Sequence, residues 1–286
     1  MKYSIVVSIS TDTLFGPLLY KGRLDNIIPM VSEMGFNGIE IGGVRNLNDI
    51  DLKMLEKLLN KYNVKIVTIG TAQPYFDEGL AFSSTSREIR KKAVEKVKKI
   101  LDVSKYLGCS IMMSIIFGKV EYFTDRDDFN RKVIIAKKNI CECLQECMSY
   151  SERDSTKFLI EPLNRYETNI FNTLMDVKLY LEENKSKLDL SRISLIADTF
   201  HMNIEESVIH KSVEECLDII GHIHFSDSNR CAPGFGHIDF SSIINVLKMK
   251  NYSDFISFEI LPIPDSETAA KKGKSFITTL WNSISI

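Results

Sequence analysis

The chain has 286 residues, of which 44% are hydrophobic and 26% are charged, so it carries enough apolar material for a sizeable core. Its formal net charge of −2 offers no basic surplus and argues against a nucleic-acid-binding protein. No apolar run is long enough to span a bilayer, and the first residues, MKYSIVVSIS, are typical of a strand and lack the cleavage site of a signal peptide.

Strand and helix signals alternate along the chain from end to end. Residues 52–62 illustrate the helical pattern, because four leucines share one face there. A long helix is predicted over residues 87–107, and Gly108 ends it. The predicted strands cover 5–10, 38–41, 64–69, 109–116, 158–161, 193–198, 219–224 and 255–259. The predicted helices cover 24–34, 52–62, 87–107, 127–150, 174–184, 204–217, 240–250 and 267–283, and residues 70–86 are predicted to form a long loop.

This order of elements predicts an α/β fold with a parallel sheet. Eight strand-helix units in a chain of this length favour a closed (β/α)8 barrel of the triosephosphate isomerase type, formed as one domain over residues 1–286. An open doubly wound sheet would be expected to carry a glycine-rich loop after its first strand, where residues 8–11 read SIST. In such barrels the active site lies at the C-terminal ends of the strands.

Four apolar runs end on a side chain that can bind a metal: Glu161, Asp198, His224 and Glu259. Any one of these acids alone is equally well explained as a helix cap or a surface charge. At four strand ends the residues would meet in the barrel mouth, where the three carboxylates would repel one another strongly. A divalent cation removes that repulsion, and three carboxylates with one imidazole suit Mn²⁺ best, with Co²⁺ or Mg²⁺ as alternatives.

Four stretches carry a resemblance to a known family. EPLNRYETNIFNT, ADTFHMNIEE, GHIHFSDSNRCAPGFGHIDF and FISFEI resemble the sugar isomerase/epimerase barrels of the xylose-isomerase-like superfamily, and most closely the D-tagatose and D-psicose 3-epimerases. The resemblance implies that the same four residues bind one metal ion. It implies further that Glu161 and Glu259 form the acid-base pair that inverts C3 of a free ketose through an enediolate.

The resemblance also implies a set of residues that hold the ketose oxygens, namely Glu167, His201 and Arg230. His222 is expected to be a buried, hydrogen-bonded histidine one layer deeper in the barrel, and Asp239 to cap the next helix. Asn169 stands where a histidine is common in relatives, so the particular sugar is left open. The aromatic candidates for the pocket wall are Phe15, Phe76, Phe117 and Phe200.

Three other functions stay open at this point. The first is another enolising enzyme on the same barrel, such as an aldose-ketose isomerase or an inosose dehydratase. The second is a DNA-repair nuclease of the endonuclease IV type, for which the chain has few histidines and no basic excess. The third is a metal-free sugar-binding module. We also expect a homo-oligomer, on the resemblance alone, and a cytoplasmic protein whose six cysteines are reduced.

Overall fold

The strands form a closed parallel barrel. A computed structural model describes residues 1–11, 16–45, 47 and 50–285. Eight strands pair in chain order, the last pairs with the first, and a two-residue strand adds to the first. The fold is therefore the predicted (β/α)8 barrel. Its strands are β1 Lys2–Ser8, β2 Tyr20–Lys21, β3 Gly38–Gly43, β4 Lys65–Gly70, β5 Ser110–Met113, β6 Phe158–Ile160, β7 Ile193–Asp198, β8 Ile220–Phe225 and β9 Phe255–Phe258.

Helices between the strands cover the outside of the barrel. They are α1 Leu24–Glu33, α2 Leu52–Tyr62, α3 Gln73–Glu78, α4 Arg87–Leu107, α5 Arg126–Tyr150, α6 Leu174–Glu183, α7 Thr199–Glu205, α8 Ile209–Cys216, α9 Phe240–Met249 and α10 Ser266–Ser283. Among these described helices, none is both long and apolar enough to cross a membrane.

The strand interiors are buried on both faces, as expected for a parallel sheet that helices cover. Ile5, Ile39 and Ile69 are fully buried and belong to one continuous apolar core. The long helix α4 turns its apolar residues, such as Val94, Val97 and Leu101, to this core, and it ends where predicted because Gly108 adopts a left-handed conformation with φ 65°. Asp239 caps α9 by accepting a hydrogen bond from the Ser242 amide, as expected from the sequence.

The strand predicted over residues 109–116 is wrong in its second half. β5 ends at Met113, and Ile115–Phe117 form a 3-10 turn. Sheet pairing offers no partner beyond that point, since β5 pairs with β4 only to Met112 and with β6 only to Met113. The remaining apolar residues are buried as a turn, and an apolar run by itself does not distinguish the two outcomes.

Two predicted connections also differ from the structure. The loop predicted over residues 70–86 contains α3, because Pro74 sits in its first turn and Gly79 ends it with φ 65°. The helix predicted over residues 204–217 is two helices, α7 and α8. Glu206 is extended between them, and its carboxylate accepts hydrogen bonds from the Leu174 amide at 2.9 Å and the Ser212 hydroxyl at 2.9 Å. These hydrogen bonds stabilise the extended conformation of Glu206 between the two helices.

Candidate metal centre and active site

The four predicted metal ligands meet at the C-terminal end of the barrel. Glu161 and Glu259 follow directly after β6 and β9, Asp198 ends β7, and His224 lies beside it on β8. One ligand atom from each of the four lies within 4.8 Å of the others. The register of the parallel strands thus joins residues that are far apart in sequence.

The donor atoms are arranged around one ring nitrogen. His224 Nδ1 lies 3.1 Å from Glu161 Oε1, 3.5 Å from Asp198 Oδ2 and 3.0 Å from Glu259 Oε2. Ligand atoms that share a divalent cation at about 2.1 Å stand roughly 3 Å apart when they are adjacent in an octahedral shell. Three carboxylate oxygens and one imidazole nitrogen suit Mn²⁺, Co²⁺ or Mg²⁺. The residues present therefore fit a divalent metal ion.

Burial and charge in this cluster shift the pKa values in opposite directions. Burial, together with the Glu259 carboxylate, raises the pKa of Glu161. Burial has the same tendency at Asp198, but the Arg230 guanidinium outweighs it and holds the pKa of Asp198 well below its usual range. For His224, burial disfavours the charged ring, yet the surrounding carboxylates, including Glu259, raise its pKa well above the usual value. A cation is therefore favoured at the centre of the cluster.

Arg230 links two of the carboxylates. Its Nη1 donates to both oxygens of Asp198 at 2.7 Å, and its Nη2 donates to Glu259 Oε2 at 2.5 Å. The guanidinium lies 4.8 Å from the centre of the Phe200 ring. The buried Asp227 holds the loop that contains Arg230 by accepting from the Gly234 amide at 2.8 Å. Arg230 is thus fixed beside the cluster.

Asp198 has two roles at once. Its Oδ1 accepts from the amides of Phe200 at 2.8 Å and His201 at 3.2 Å, which makes it the N-cap of α7. Its Oδ2 accepts from Arg230 and lies 3.5 Å from His224 Nδ1. The helix cap, considered above as an alternative to a functional role, is therefore real and is compatible with metal binding.

Two of the predicted substrate residues meet through Asn164. The backbone N–H of Asn164 donates to His201 Nδ1 at 3.2 Å, so the ring of His201 carries its hydrogen on Nε2. The Asn164 side chain donates to Glu167 Oε1 at 3.1 Å. His201 is buried, whereas the Glu167 side chain is 42% exposed at the rim of the site. Asn164 thus braces the loop that presents Glu167.

Sequence reasoning missed Glu40, which lies under the cluster in the middle of β3. Its side chain is fully buried, with Oε1 2.7 Å from His222 Nε2 and Oε2 3.3 Å from His224 Nε2. Thr68 donates to the same carboxylate. His222 is the buried, hydrogen-bonded histidine that was expected. A charged residue inside the apolar run GIEIGG is the signal that could have revealed Glu40.

The aromatic candidates for the pocket wall have different positions. Phe200 stacks beside Arg230 near the cluster. Phe117 is buried and packs on Phe82 and Phe171, so its assignment to the pocket wall is wrong, because the 3-10 turn directs it into the core. Phe76 is exposed on α3, and Phe15 lies outside the residues that the structure describes.

The chain is similar to known sugar epimerases. The family model described as "Xylose isomerase-like TIM barrel" matches residues 28–280. An Escherichia coli protein named 3-dehydro-D-guloside 4-epimerase is 28% identical over 233 residues, which cover 80% of this chain and 84% of the relative. A Methylomonas protein named L-ribulose 3-epimerase is 30% identical over 228 residues, which cover 79% of this chain and 74% of the relative.

Solved structures agree with these relatives. A D-allulose 3-epimerase from Methylomonas, in complex with D-allulose, is 25% identical with a TM-score of 0.78, and the match covers 98% of this chain and 96% of that one. The apo 3-keto-D-glucoside 4-epimerase of Escherichia coli has the same fold, with a TM-score of 0.78 at 24% identity over 97% of this chain and 100% of that one. The names of these relatives are those of isomerase-class enzymes.

Proposed function

Because the chain belongs to the xylose isomerase-like TIM barrel family, we propose that it inverts the carbon next to the carbonyl group of a keto sugar. The observation that carries this proposal is the pair Glu161 and Glu259, which contact the same nitrogen of His224 from two different strands. Removing a proton from one face of a carbon and returning one to the other requires two such groups.

The names of the relatives support this choice of chemistry. A ketose 3-epimerase inverts the carbon beside a carbonyl at C2, and a 3-dehydroglycoside 4-epimerase inverts the carbon beside a carbonyl at C3. Both reactions act on the carbon whose proton the carbonyl makes acidic. We propose inversion at C3 of a free ketose as the first activity to test. An aldose-ketose isomerase and an inosose dehydratase would also remove a proton from the carbon next to a carbonyl group, so these activities are the alternatives.

We assign the roles of the side chains as follows. One of Glu161 and Glu259 takes the proton from the reacting carbon, and the other delivers a proton to the opposite face. Arg230 stabilises the negative oxygen of the enediolate, and His201 donates from Nε2 to a substrate oxygen. Glu167 holds a hydroxyl group at the rim.

Glu161, Asp198, His224 and Glu259 would hold one divalent cation, and we propose Mn²⁺, with Co²⁺ or Mg²⁺ able to substitute. Such a cation would act as a Lewis acid that polarises the substrate carbonyl. We propose further that the protein is a cytoplasmic homo-oligomer. Its six cysteines form no disulfide bond, which suits a reducing compartment.

The experiment is an epimerisation assay on metal-stripped protein. Mn²⁺ or Co²⁺ is added back, the protein is offered D-fructose, D-psicose, D-tagatose and D-sorbose, and inversion at C3 is followed by chromatography. Glu259→Gln removes one proton carrier and is expected to abolish turnover. The matched control is Asp154→Asn, which changes a carboxylate that lies beside Arg192, before β6 and away from the C-terminal strand ends. The Asp154→Asn protein should keep the parent activity.

Each outcome decides something. Metal-dependent inversion that Glu259→Gln abolishes supports the proposal and ranks the sugars. Metal binding without inversion of any keto sugar would refute it and direct attention to aldoses and inososes. A protein that binds no divalent cation would refute the metal site itself and favour a sugar-binding module.

A further inference from the structure

A groove that the proposed chemistry does not use leads away from the candidate active site. We call it the rim groove. Its inner part has a volume of about 340 Å³ and is lined by residues 119–123 and 165–169, from the loops after β5 and β6. Its outer part, about 580 Å³, shares residues 119–122 and reaches Tyr75 and Phe76 of α3. Ligand pockets in proteins commonly have volumes of this size.

The inner part of the rim groove has a fixed floor. Asn169 Nδ2 donates to the Val120 carbonyl at 2.9 Å, and the Val120 amide donates to Asn169 Oδ1 at 2.9 Å. Thr168 Oγ1 donates to the Gly118 carbonyl at 2.8 Å. These hydrogen bonds join the two loops, so the groove is largely formed before a ligand arrives. Asn169 therefore shapes this groove.

Glu167 connects the rim groove to the candidate active site. Its side chain lines the inner part of the groove, and its Oε1 lies 3.8 Å from His201 Nδ1. The amide of His201 in turn donates to Asp198 at 3.2 Å. Glu167 thus belongs both to the groove lining and to the proposed substrate residues, and it places the inner end of the groove beside the candidate active site.

The groove exposes several aromatic rings beside its charged side chains. Tyr122 is 82% exposed, Tyr166 80% and Phe76 66%. Exposed aromatic side chains grouped beside a pocket mark a ligand-binding surface, because an aromatic ring covers an apolar face of the ligand while a tyrosine hydroxyl can hydrogen-bond. Sugar rings present such apolar C–H faces together with hydroxyl groups at their edges.

The charges of the groove favour an uncharged ligand. Arg165 is held by Glu205 through Nε and Nη2, each at 3.0 Å, and Lys132 pairs with Asp128 at 2.9 Å. Lys119, Glu121 and Glu167 remain, with no cluster of cations that would bind a phosphate. A sugar phosphate is therefore disfavoured against a neutral sugar.

We infer that the rim groove binds a second, uncharged sugar ring, so that the preferred substrate is a keto sugar in glycosidic linkage rather than a free ketose. The inference rests on the proposed function, since it assumes that the keto sugar reacts at the metal centre. The second ring lies against Tyr122 and Tyr166, and its hydroxyl groups reach Lys119, Glu121 and Glu167.

The test compares matched substrates that differ by one ring. D-fructose is compared with maltulose and isomaltulose, and methyl 3-keto-glucopyranoside with 3-ketotrehalose, all with the metal-loaded protein. We expect kcat/KM for the longer member of at least one pair to exceed that of the shorter by about tenfold or more. Tyr122→Ala and Tyr166→Ala are expected to reduce that preference severalfold. Tyr106→Ala, an exposed tyrosine at the C-terminal end of α4, is the matched control and should leave the preference unchanged.

Calorimetry on the Glu259→Gln variant supplies a readout that does not depend on turnover. The longer sugars should bind more tightly than the shorter ones, and Tyr166→Ala in that background should remove the difference. Equal kcat/KM for both members of each pair, with no effect of the tyrosine variants, would overturn the inference while the proposed function stands. Absence of turnover for every keto sugar would overturn the proposed function. A dimer in sedimentation that Tyr122→Ala dissociates would show that a second copy of the chain covers the groove, and it would also overturn the inference.

Discussion

The Glu40→Gln substitution tests whether the buried carboxylate under the cluster prepares His224 for metal binding. Glu40 Oε2 lies 3.3 Å from His224 Nε2, so it accepts the hydrogen of that nitrogen and leaves Nδ1 to the other three ligands. Burial opposes the charge of Glu40, but His222 and His224 outweigh it and hold its pKa well below the usual value. Glu40 is therefore an anion in the folded protein.

The expected effect is a loss of metal affinity. Glutamine keeps the shape of the side chain but removes the charge that orients the ring and raises its basicity. Changes to such outer partners of a metal ligand lower affinity about 10- to 100-fold, or roughly 1.4–2.7 kcal/mol. No change in the number of bound ions is expected, because all four candidate ligands remain in place.

Calorimetric titration of metal-stripped protein with Mn²⁺ measures this effect directly. Asp154→Asn, which changes a carboxylate beside Arg192 far from the cluster, is the control and should bind Mn²⁺ like the parent. Both variants are first checked for a cooperative thermal transition. If Glu40→Gln bound Mn²⁺ within about twofold of the parent, the reasoning that assigns Glu40 to the orientation of His224 would be refuted.

Four further predictions concern single groups. Because the pKa of His224 is raised, a proton competes with the metal, so the Mn²⁺ affinity measured by calorimetry should rise by up to about tenfold per pH unit until that pKa is passed. The protonated ring stabilises the metal-free protein fully below pH ~6.5, and this stability is lost as the pH rises through the raised pKa. A pH-independent affinity would contradict this prediction. Asp227→Ala leaves the amides of Gly234 and Ile238 unpaired and should lower the free energy of unfolding in urea by about 2–6 kcal/mol, whereas a loss below about 1 kcal/mol would be inconsistent with these contacts. Arg230→Lys cannot reproduce the two-carboxylate fork and should reduce kcat by about 100-fold, and parent-like turnover would exclude its role. A thiol reagent should label the half-buried Cys231 first in the native protein, since the other five cysteines are buried, and Cys231→Ser should remove that fast phase.

The residues at the strand ends could be predicted from the sequence because parallel strands align their C-terminal ends. Glu161, Asp198, His224 and Glu259 each end an apolar run, and the barrel places those ends in one ring. The fold class could also be predicted, because eight alternating strands and helices in a chain of this length favour a closed parallel barrel. Both predictions start from local sequence patterns, and the fold class then determines where those residues lie in space.

The remaining features depend on contacts that no local pattern encodes. Glu40 is separated from His222 by 182 positions, and its role becomes visible only when β3 and β8 face each other across the barrel. The direction of Phe117 depends on a turn that begins where sheet pairing ends. The rim groove combines loops after three different strands, so of its exposed aromatic residues only Phe76 was named from the sequence, and Tyr122 and Tyr166 were not.

The central claim is that proton transfer at the carbon beside a carbonyl passes through Glu161 and Glu259. The most direct measurement is epimerisation of a ketose by the Mn²⁺-loaded protein in D2O, with the product analysed by NMR. Two separate proton carriers exchange with solvent, so the inverted carbon should carry deuterium, and Glu161→Gln or Glu259→Gln should abolish inversion. Inversion in which that carbon keeps its original hydrogen, or inversion that survives either substitution, would contradict the claim.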